Sequence, residues 1–182
     1  IQGREPLVLP LRPPGARQGR PDPVLSSLGE AERALLNLLC VAPRSNTAAV
    51  TAGADDDSDA LEELAYADLI TVHGHSVHVR DSRLRAQLYW SLEPRTRREL
   101  HRRMVDAHRG IDDLLADWHA SFIAPTAETP DTLLAGAAEI AQEGDVTTAV
   151  EFAEHAIRVA GSVANHLPPL IDLAEALLEQ SE

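Results

Sequence analysis

The sequence contains no lysine, because every one of its 16 basic residues is arginine. A phosphate-binding loop of the form G-x-x-x-x-G-K-[ST] needs its lysine, so this class of nucleotide site is excluded. A single cysteine, Cys40, rules out a disulfide framework within one chain and is typical of a reducing compartment. No apolar run approaches the length of a membrane span, and no secretory signal pattern appears, so we expect a cytoplasmic protein.

Aromatic residues make up only 3% of the sequence, although hydrophobic residues in total reach 44%. The cores must therefore be built from leucine, valine, isoleucine and alanine, which favours helices in one or two small globular units. Residues 1–24 contain six prolines and three glycines and are predicted to form an extended linker. The chain begins at Ile1 rather than at methionine, and we expect it to be a piece of a larger protein.

The formal net charge of −13 is concentrated towards the C-terminal end. Residues 111–182 hold fourteen acidic residues and a single arginine, Arg158, whereas residues 1–20 are basic. An acidic surface repels the anionic backbone of nucleic acids. We therefore expect the C-terminal part to contact proteins rather than DNA.

The first helix is predicted over residues 29–42, with Ser27 as its N-cap and a broad face of leucines. A weaker helix is predicted over 46–52. The acidic turn that follows leads into a third helix, for which Asp57 or Ser58 is the expected cap.

The stretch ITVHGHSVHVRD, residues 70–81, places three histidines around one glycine. If Gly74 and His75 form a two-residue type II′ turn, the flanking strands pair Ile70 with Val79 and Val72 with Val77. Alternation along the strands then puts these four apolar side chains on one buried face. The other, wet face carries Thr71, His73, Ser76 and His78. Three helices followed by such a hairpin are the order of a winged-helix domain.

Helical spacing continues beyond the hairpin and predicts six further helices, over residues 82–92, 94–108, 110–124, 129–143, 146–160 and 169–179. In the third of these, an apolar stripe runs from Ile111 to Phe122 and includes Trp118. Thr129 is the expected cap of the fourth, and the small residues around Gly136 allow two helices to approach closely.

The segment RDSRLRAQLYWSLEPRTRRELHRRM resembles a segment common in LuxR-type bacterial regulators that carry a large STAND-class ATPase. The family pattern is roughly R-H-P-L-L-R-x-A-V-Y-x-x-L-P-x-x-x-R-R-x-L-H-R-x-L. The matching positions are Arg80, Leu84, Arg85, Tyr89, Leu92, Arg97, Arg98, Leu100, His101 and Arg102. In such proteins this segment belongs to a winged-helix domain that follows the ATPase module.

A second segment, AQEGDVTTAVEFAEHAIRVA, is similar to the second half of a tetratricopeptide-type repeat. The residues that match that pattern by type are Gly144, Asp145, Ala149, Val150, Phe152, Ala156 and Ile157. One helical pair does not make a solenoid, because stacked neighbours are needed to bury both faces. The resemblance thus implies a mainly α fold, with a winged-helix domain over residues 25–109 and a truncated tetratricopeptide-like region of antiparallel helical hairpins over residues 110–182.

The resemblance also raises a question about nucleotide contact at Asp81. In related STAND ATPases a histidine of the winged-helix domain contacts bound ADP, and here that place is taken by Asp81. A carboxylate repels a phosphate. We therefore expect no cofactor in these residues, and ATP or ADP only in an upstream domain.

His73, His75 and His78 are the only candidate metal ligands. Neither a cysteine nor a carboxylate is nearby to complete a zinc shell, so a solvated wing is the preferred interpretation. Trp118, His119 and Ser121 could suggest catalysis, but no activated nucleophile with an orienting group stands out, and we expect no enzyme. His101 and His108 lie seven residues apart on one helix face and are expected to pack against neighbours.

The arginine-rich helix over residues 94–108 could contact phosphates, yet acidic residues interleave its arginines. The alternative to phosphate binding is that the arginines form ion pairs within the helix and with other domains. The residues that we expect to make such contacts are Arg85, Arg97, Arg98 and Arg102.

The leading hypothesis is a non-catalytic regulatory fragment that couples an ATPase module to a helical-repeat sensor of a protein partner or small-molecule inducer. DNA would be contacted only through a domain outside this chain. A winged-helix DNA-binding protein is the second hypothesis, and an enzyme of unknown class is the third.

Overall fold

A computed structural model of the chain describes residues 25, 27–54, 58–160 and 162–180. The predicted linker over residues 1–24 and the predicted cap Asp57 lie outside this part of the chain. Within it the protein forms nine α-helices and one small antiparallel sheet, so the predicted mainly helical class is confirmed. None of the helices in the described ranges is long and apolar enough to cross a bilayer.

The elements follow one another in the order α1 (Glu30–Cys40), β1 (Ser45–Asn46), α2 (Thr47–Gly53), α3 (Ser58–Tyr66), β2 (Ile70–His73), β3 (Ser76–Val79), α4 (Ser82–Ser91), α5 (Pro94–His108), α6 (Asp113–Ser121), α7 (Thr129–Gln142), α8 (Val146–Ala160), a 3₁₀ turn (Val163–His166) and α9 (Leu167–Glu179). The chain divides into two compact units, of which the first ends at Arg97 and the second begins at Arg98. The predicted domain boundary between residues 109 and 110 follows α5, whereas the compact units divide inside it. The assignment of residues to domains stays a prediction.

In the first unit, α1 is the central element and packs against α2, α3, α4 and β3. The predicted leucine face is buried together with Cys40. Ser27 as N-cap is wrong, because the N-cap position belongs to Gly29, whose extended backbone starts the helix without a side-chain hydrogen bond.

The predicted hairpin is present with the predicted register, including the pairs Ile70 with Val79 and Val72 with Val77. Gly74 has a φ of 58°, the positive value that the first central position of a type II′ turn requires. Ile70, Val77 and Val79 are buried, but Val72 is 41% exposed, so the apolar face is covered only over part of the hairpin.

The sequence did not predict the third strand. Ser45 pairs with Val77 and Asn46 with Ser76, which places β3 in the centre of the order β1-β3-β2. Asn46 also caps α2, since its side-chain oxygen accepts a hydrogen bond from the Ala48 N–H at 2.9 Å. One short polar segment therefore joins the sheet and starts a helix.

In the second unit, α7 is the central helix and packs against α6, α8 and α9. Gly136 permits the close approach of α6, because a Cβ atom at this position would lie 2.2 Å from Leu114 Cδ1. The turn between α7 and α8 uses Gly144, with a φ of 89°, and Asp145, whose carboxylate accepts from the Thr148 N–H at 3.1 Å. The predicted helical pair is therefore present.

Three predicted helix starts in this unit are wrong. The last helix, predicted from residue 169, already begins at Leu167. The helix predicted from residue 110 begins only at Asp113, because the Asp112 side chain caps it by accepting from the Leu115 N–H at 3.0 Å. Ile111 therefore lies outside the helix and is 50% exposed. Thr129 is the first residue of α7 rather than its cap, and its hydroxyl accepts from the N–H of Thr126.

Candidate functional site

The hairpin histidines are not gathered into a site. His73 and His75 are exposed at the turn, and His78 is half-buried on the neighbouring strand. Across the described ranges, no group of three or more histidine, cysteine, aspartate or glutamate side chains is arranged to hold a metal ion.

Asp81, the residue that stands where the resemblance implies a histidine, is the N-cap of α4. Its Oδ1 accepts from the N–H of Arg83 at 2.7 Å and from that of Leu84 at 3.4 Å. The N–H groups at a helix start are the donors that a bound phosphate would use. Two of these groups at the start of α4 already donate to the Asp81 carboxylate, so a phosphate at this place would have to displace it.

The four arginines expected to make contacts lie in different surroundings. Arg85 is buried, and its Nε–H donates to the carbonyl oxygen of Cys40 at 3.2 Å. Arg97 lies over the rings of Tyr89 and Trp90, with its guanidinium carbon 4.9 Å and 4.7 Å from the two ring centroids. Both interactions are internal to the first unit, and cation–π contacts of this kind contribute about 0.5–1 kcal/mol.

Arg98 and Arg102 are exposed on α5, and Arg102 forms an ion pair with Glu99 one turn away. An exposed pair at this spacing contributes only about 0.3–0.5 kcal/mol. The predicted contacts of these two arginines with other domains stay a prediction.

A buried histidine cluster in the second unit brings several titratable side chains together. It consists of four of the eight histidines in the sequence, namely His101 and His108 on α5, His119 on α6 and His155 on α8. All four are buried. The expectation that His101 and His108 pack against neighbours is confirmed.

Two hydrogen bonds set the orientation of the first three rings. His101 Nδ1 lies 3.0 Å from His119 Nδ1, so one of these nitrogens must carry the proton that the other accepts. His108 Nδ1 lies 2.9 Å from the carbonyl oxygen of Met104, and because a carbonyl only accepts, His108 is protonated at Nδ1. Burial lowers the pKa of His108, while the bond to Met104 and the charge of Asp112 oppose this shift.

His155 is held by a serine. Its Nε2 lies 2.7 Å from Ser121 Oγ, and that hydroxyl also lies 2.5 Å from the carbonyl oxygen of Trp118. Since the carbonyl can only accept, the hydroxyl donates to it and accepts from His155 Nε2–H. Burial, with a smaller effect of the Arg158 charge, lowers the pKa of His155 to about 4. His155 is therefore neutral at pH 7.

This direction of hydrogen bonding argues against Ser121 as a nucleophile. In a catalytic serine–histidine pair the imidazole accepts the hydroxyl proton, and a third group orients its other nitrogen. Here the imidazole donates, and its buried Nδ1 has no hydrogen-bond partner within the described residues. The pair links α6 to α8.

Aromatic stacking connects the cluster. The ring of Phe122 lies 4.1 Å from that of His101, at an interplanar angle of 11°, and 4.0 Å from that of His155, at 5°. Two rings at these distances cannot share one face, so Phe122 is sandwiched between the two imidazoles. Trp118 adds a stacked contact with Phe152 at 4.4 Å.

Sequence reasoning placed His101 and His108 on an inward face but missed His155 as their partner. A signal is present, because His155 lies between Phe152 and Ala156 on the face that helical spacing assigns to the core. Spacing shows that a residue points inward. It does not show that residues 101 and 155 converge on one phenylalanine.

Comparisons of the chain with protein-family models, with curated proteins and with solved structures find no match.

Proposed function

We propose that this chain is a non-catalytic coupling fragment of a LuxR-type, ATP-dependent transcriptional regulator. In this proposal residues 25–109 form a winged-helix domain and residues 110–182 form the beginning of a tetratricopeptide-like region. Their work is mechanical, since they transmit the nucleotide state of an ATPase module to a helical array that senses a protein partner or an inducer.

The observation that carries the proposal is the sheet of the first unit. A helix, a short strand, two helices and a hairpin follow one another, and the short strand β1 pairs with β3 of the hairpin. A winged-helix domain would have this order and this pairing, and they support that interpretation of residues 25–109. The paired helices α7 and α8, with their Gly144-Asp145 turn, support the tetratricopeptide-like interpretation of residues 110–182.

The surface of α3 favours coupling over DNA binding. A winged helix that reads DNA offers basic or amide side chains on its third helix to the major groove. Here α3 and the turn after it expose Asp59, Glu62, Glu63 and Asp68. These carboxylates would face the phosphate backbone and repel it.

The capped start of α4 agrees with a coupling role that does not rely on nucleotide contact at residue 81. Asp81 contributes to stability by capping the helix, so the nucleotide state would reach this fragment through contacts between domains. The exposed arginines Arg98 and Arg102 supply charges for such contacts.

Duplex DNA binding tests the proposal against its alternative. We expect the chain to show no salt-sensitive binding to duplex DNA between about 50 and 200 mM salt, a range over which phosphate contacts lose orders of magnitude in affinity. Micromolar, salt-sensitive binding that Arg98→Ala and Arg102→Ala weaken would favour a DNA-binding protein instead. The sequence of the parent gene adds a second test, for which we expect a phosphate-binding loop upstream and a helix-turn-helix downstream.

A further inference from the structure

The last helix, α9, exposes an apolar stripe on the side that does not pack against α7. Leu173 and Ala176 are buried, whereas Leu167, Ile171 and Leu178 are 54%, 56% and 68% exposed. Ala174 is exposed between them. Spacings of four, three and four residues place Leu167, Ile171, Ala174 and Leu178 on one line along the helix, as in the a and d positions of a heptad. We call these four residues the α9 stripe.

Carboxylates border the α9 stripe. At 100° per residue, Asp172, Glu175 and Glu179 lie on the flank of the stripe that is turned away from the buried face, and all three are exposed. No basic residue occurs between Leu167 and Gln180. The surface is therefore a strip of aliphatic side chains with an acidic edge.

We infer that the α9 stripe docks an amphipathic helix of a protein partner that carries arginine or lysine beside its own apolar face. The heptad spacing fits a helix lying along α9, because knobs at these positions enter the holes of a facing helix. The acidic edge then selects basic flanking residues on the partner, since opposite charges at the rim favour one partner over another.

The charges argue against a second copy of this chain as the occupant. Two α9 helices packed through their stripes would carry six carboxylates along one helix pair, with no basic residue on either helix to offset them. Like charges brought together at an interface are unfavourable. This docking surface rests on the proposed function in one respect, namely that the second unit works through protein contacts.

The test uses the full 182-residue chain and three labelled peptides of about four helical turns. The first has leucine at heptad positions a and d and arginine at e and g. The second replaces each arginine with glutamate, and the third scrambles the order of the first so that no stripe forms. We expect the arginine peptide to bind at least about tenfold more tightly than either of the others in fluorescence anisotropy.

Variants locate the binding on the helix. The double variant Ile171→Ser, Leu178→Ser should weaken binding of the arginine peptide about tenfold, because two aliphatic side chains no longer leave water. Ile157→Ser is the matched control, since Ile157 is 40% exposed on α8 outside the stripe, and it should leave binding unchanged. Glu175→Arg with Glu179→Arg should shift the preference towards the glutamate peptide. Far-UV circular dichroism of each variant checks that the helices are retained.

Equal binding of the arginine and scrambled peptides, or no binding of either, would overturn the inference. So would a dimer of the chain in sedimentation velocity that the stripe variant dissociates, because the occupant would then be a second copy. Neither result alters the duplex DNA experiment. A failed docking surface is therefore distinguishable from a failed coupling function.

Discussion

Protonation of the buried histidine cluster should destabilise the second unit as the pH falls. The clearest contribution comes from His155, whose pKa is about 4 in the folded chain against an ordinary value of 6.5. Between pH 6.5 and pH 4, His155 is therefore mostly protonated in the unfolded chain and mostly neutral in the folded chain. Stability from this residue is fully present above pH 6.5 and decreases as the pH falls below that value.

The magnitude follows from the two pKa values. Between pH 7.5 and pH 5.5, the preferential protonation of the unfolded state lowers the free energy of unfolding by about 1.3 kcal/mol for His155 alone. Below pH 4 the loss approaches about 3.4 kcal/mol, since each pKa unit corresponds to about 1.36 kcal/mol. The pKa of His108 is also lowered, so its protonation in the unfolded chain further decreases the free energy of unfolding at low pH.

The measurement is urea unfolding at pH 7.5 and 5.5 in a Trp90→Phe background. Trp118, which is buried beside His155 with their ring centroids 5.0 Å apart, is then the single tryptophan and reports on the second unit. We compare this background with the same chain carrying His155→Phe, which keeps an aromatic ring against Phe122 but cannot take a proton. The difference in pH-dependence between the two isolates the histidine from all carboxylates.

We expect the His155→Phe chain to lose about 1.3 kcal/mol less stability between the two pH values than its background does. His75→Gln is the matched control for the loss of a histidine, because His75 is exposed at the hairpin turn of the first unit, and it should leave the unfolding that Trp118 reports unchanged. The reasoning would be refuted if the free energy of unfolding fell between pH 7.5 and pH 5.5 by the same amount, within about 0.3 kcal/mol, in the background and in the His155→Phe chain. That result would mean that His155 accepts its proton in the folded state as readily as in the unfolded state.

Three further predictions concern single positions. Asp81→Ala should lower the free energy of unfolding of the first unit by about 1 kcal/mol in urea titrations, because two N–H groups of α4 lose their acceptor, whereas Asp81→Asn should cost only a few tenths. Gly136→Leu should destabilise the second unit by about 1–3 kcal/mol, because the new leucine side chain overlaps Leu114. Leu114→Ala in the same chain should restore part of the lost stability. Additive effects of the two substitutions on the free energy of unfolding would contradict the close approach of α6 and α7. Cys40 should not react with iodoacetamide in the folded chain at pH 8, because burial raises the pKa of its thiol to about 12, and rapid labelling without urea would contradict this packing.

Residue spacing and turn residues, which depend only on neighbouring positions in the sequence, were sufficient to predict most of the helices and the hairpin. The register from Ile70 to Val79 was predictable because side chains in a strand alternate strictly and Gly74 marks the turn. The ends of helices were less predictable. Several polar residues near each start can serve as the cap, and at Asp112 and Asp81 the backbone geometry of the fold selected one of them.

Strand β1 could not be predicted from neighbouring residues in the sequence. Ser45 and Asn46 have neither the length nor the composition of a strand, and they are extended because β3 offers its free edge to them. Pairing of this kind depends on where the chain returns in space. Val72 illustrates the same point, since its alternation predicts burial, but it is left 41% exposed.

The sequence by itself determined which segments are helical, where the hairpin turns, and that the C-terminal part is acidic, because these properties depend on neighbouring residues and on composition. Only the tertiary structure decided that four histidines share one core, that Phe122 lies between His101 and His155, and that the apolar arc of α9 is wider than the face it buries. The physical reason is that burial and stacking are relations between residues far apart in the chain. Periodicity shows which side of a helix is apolar, but packing decides how much of that side is covered and by which partner.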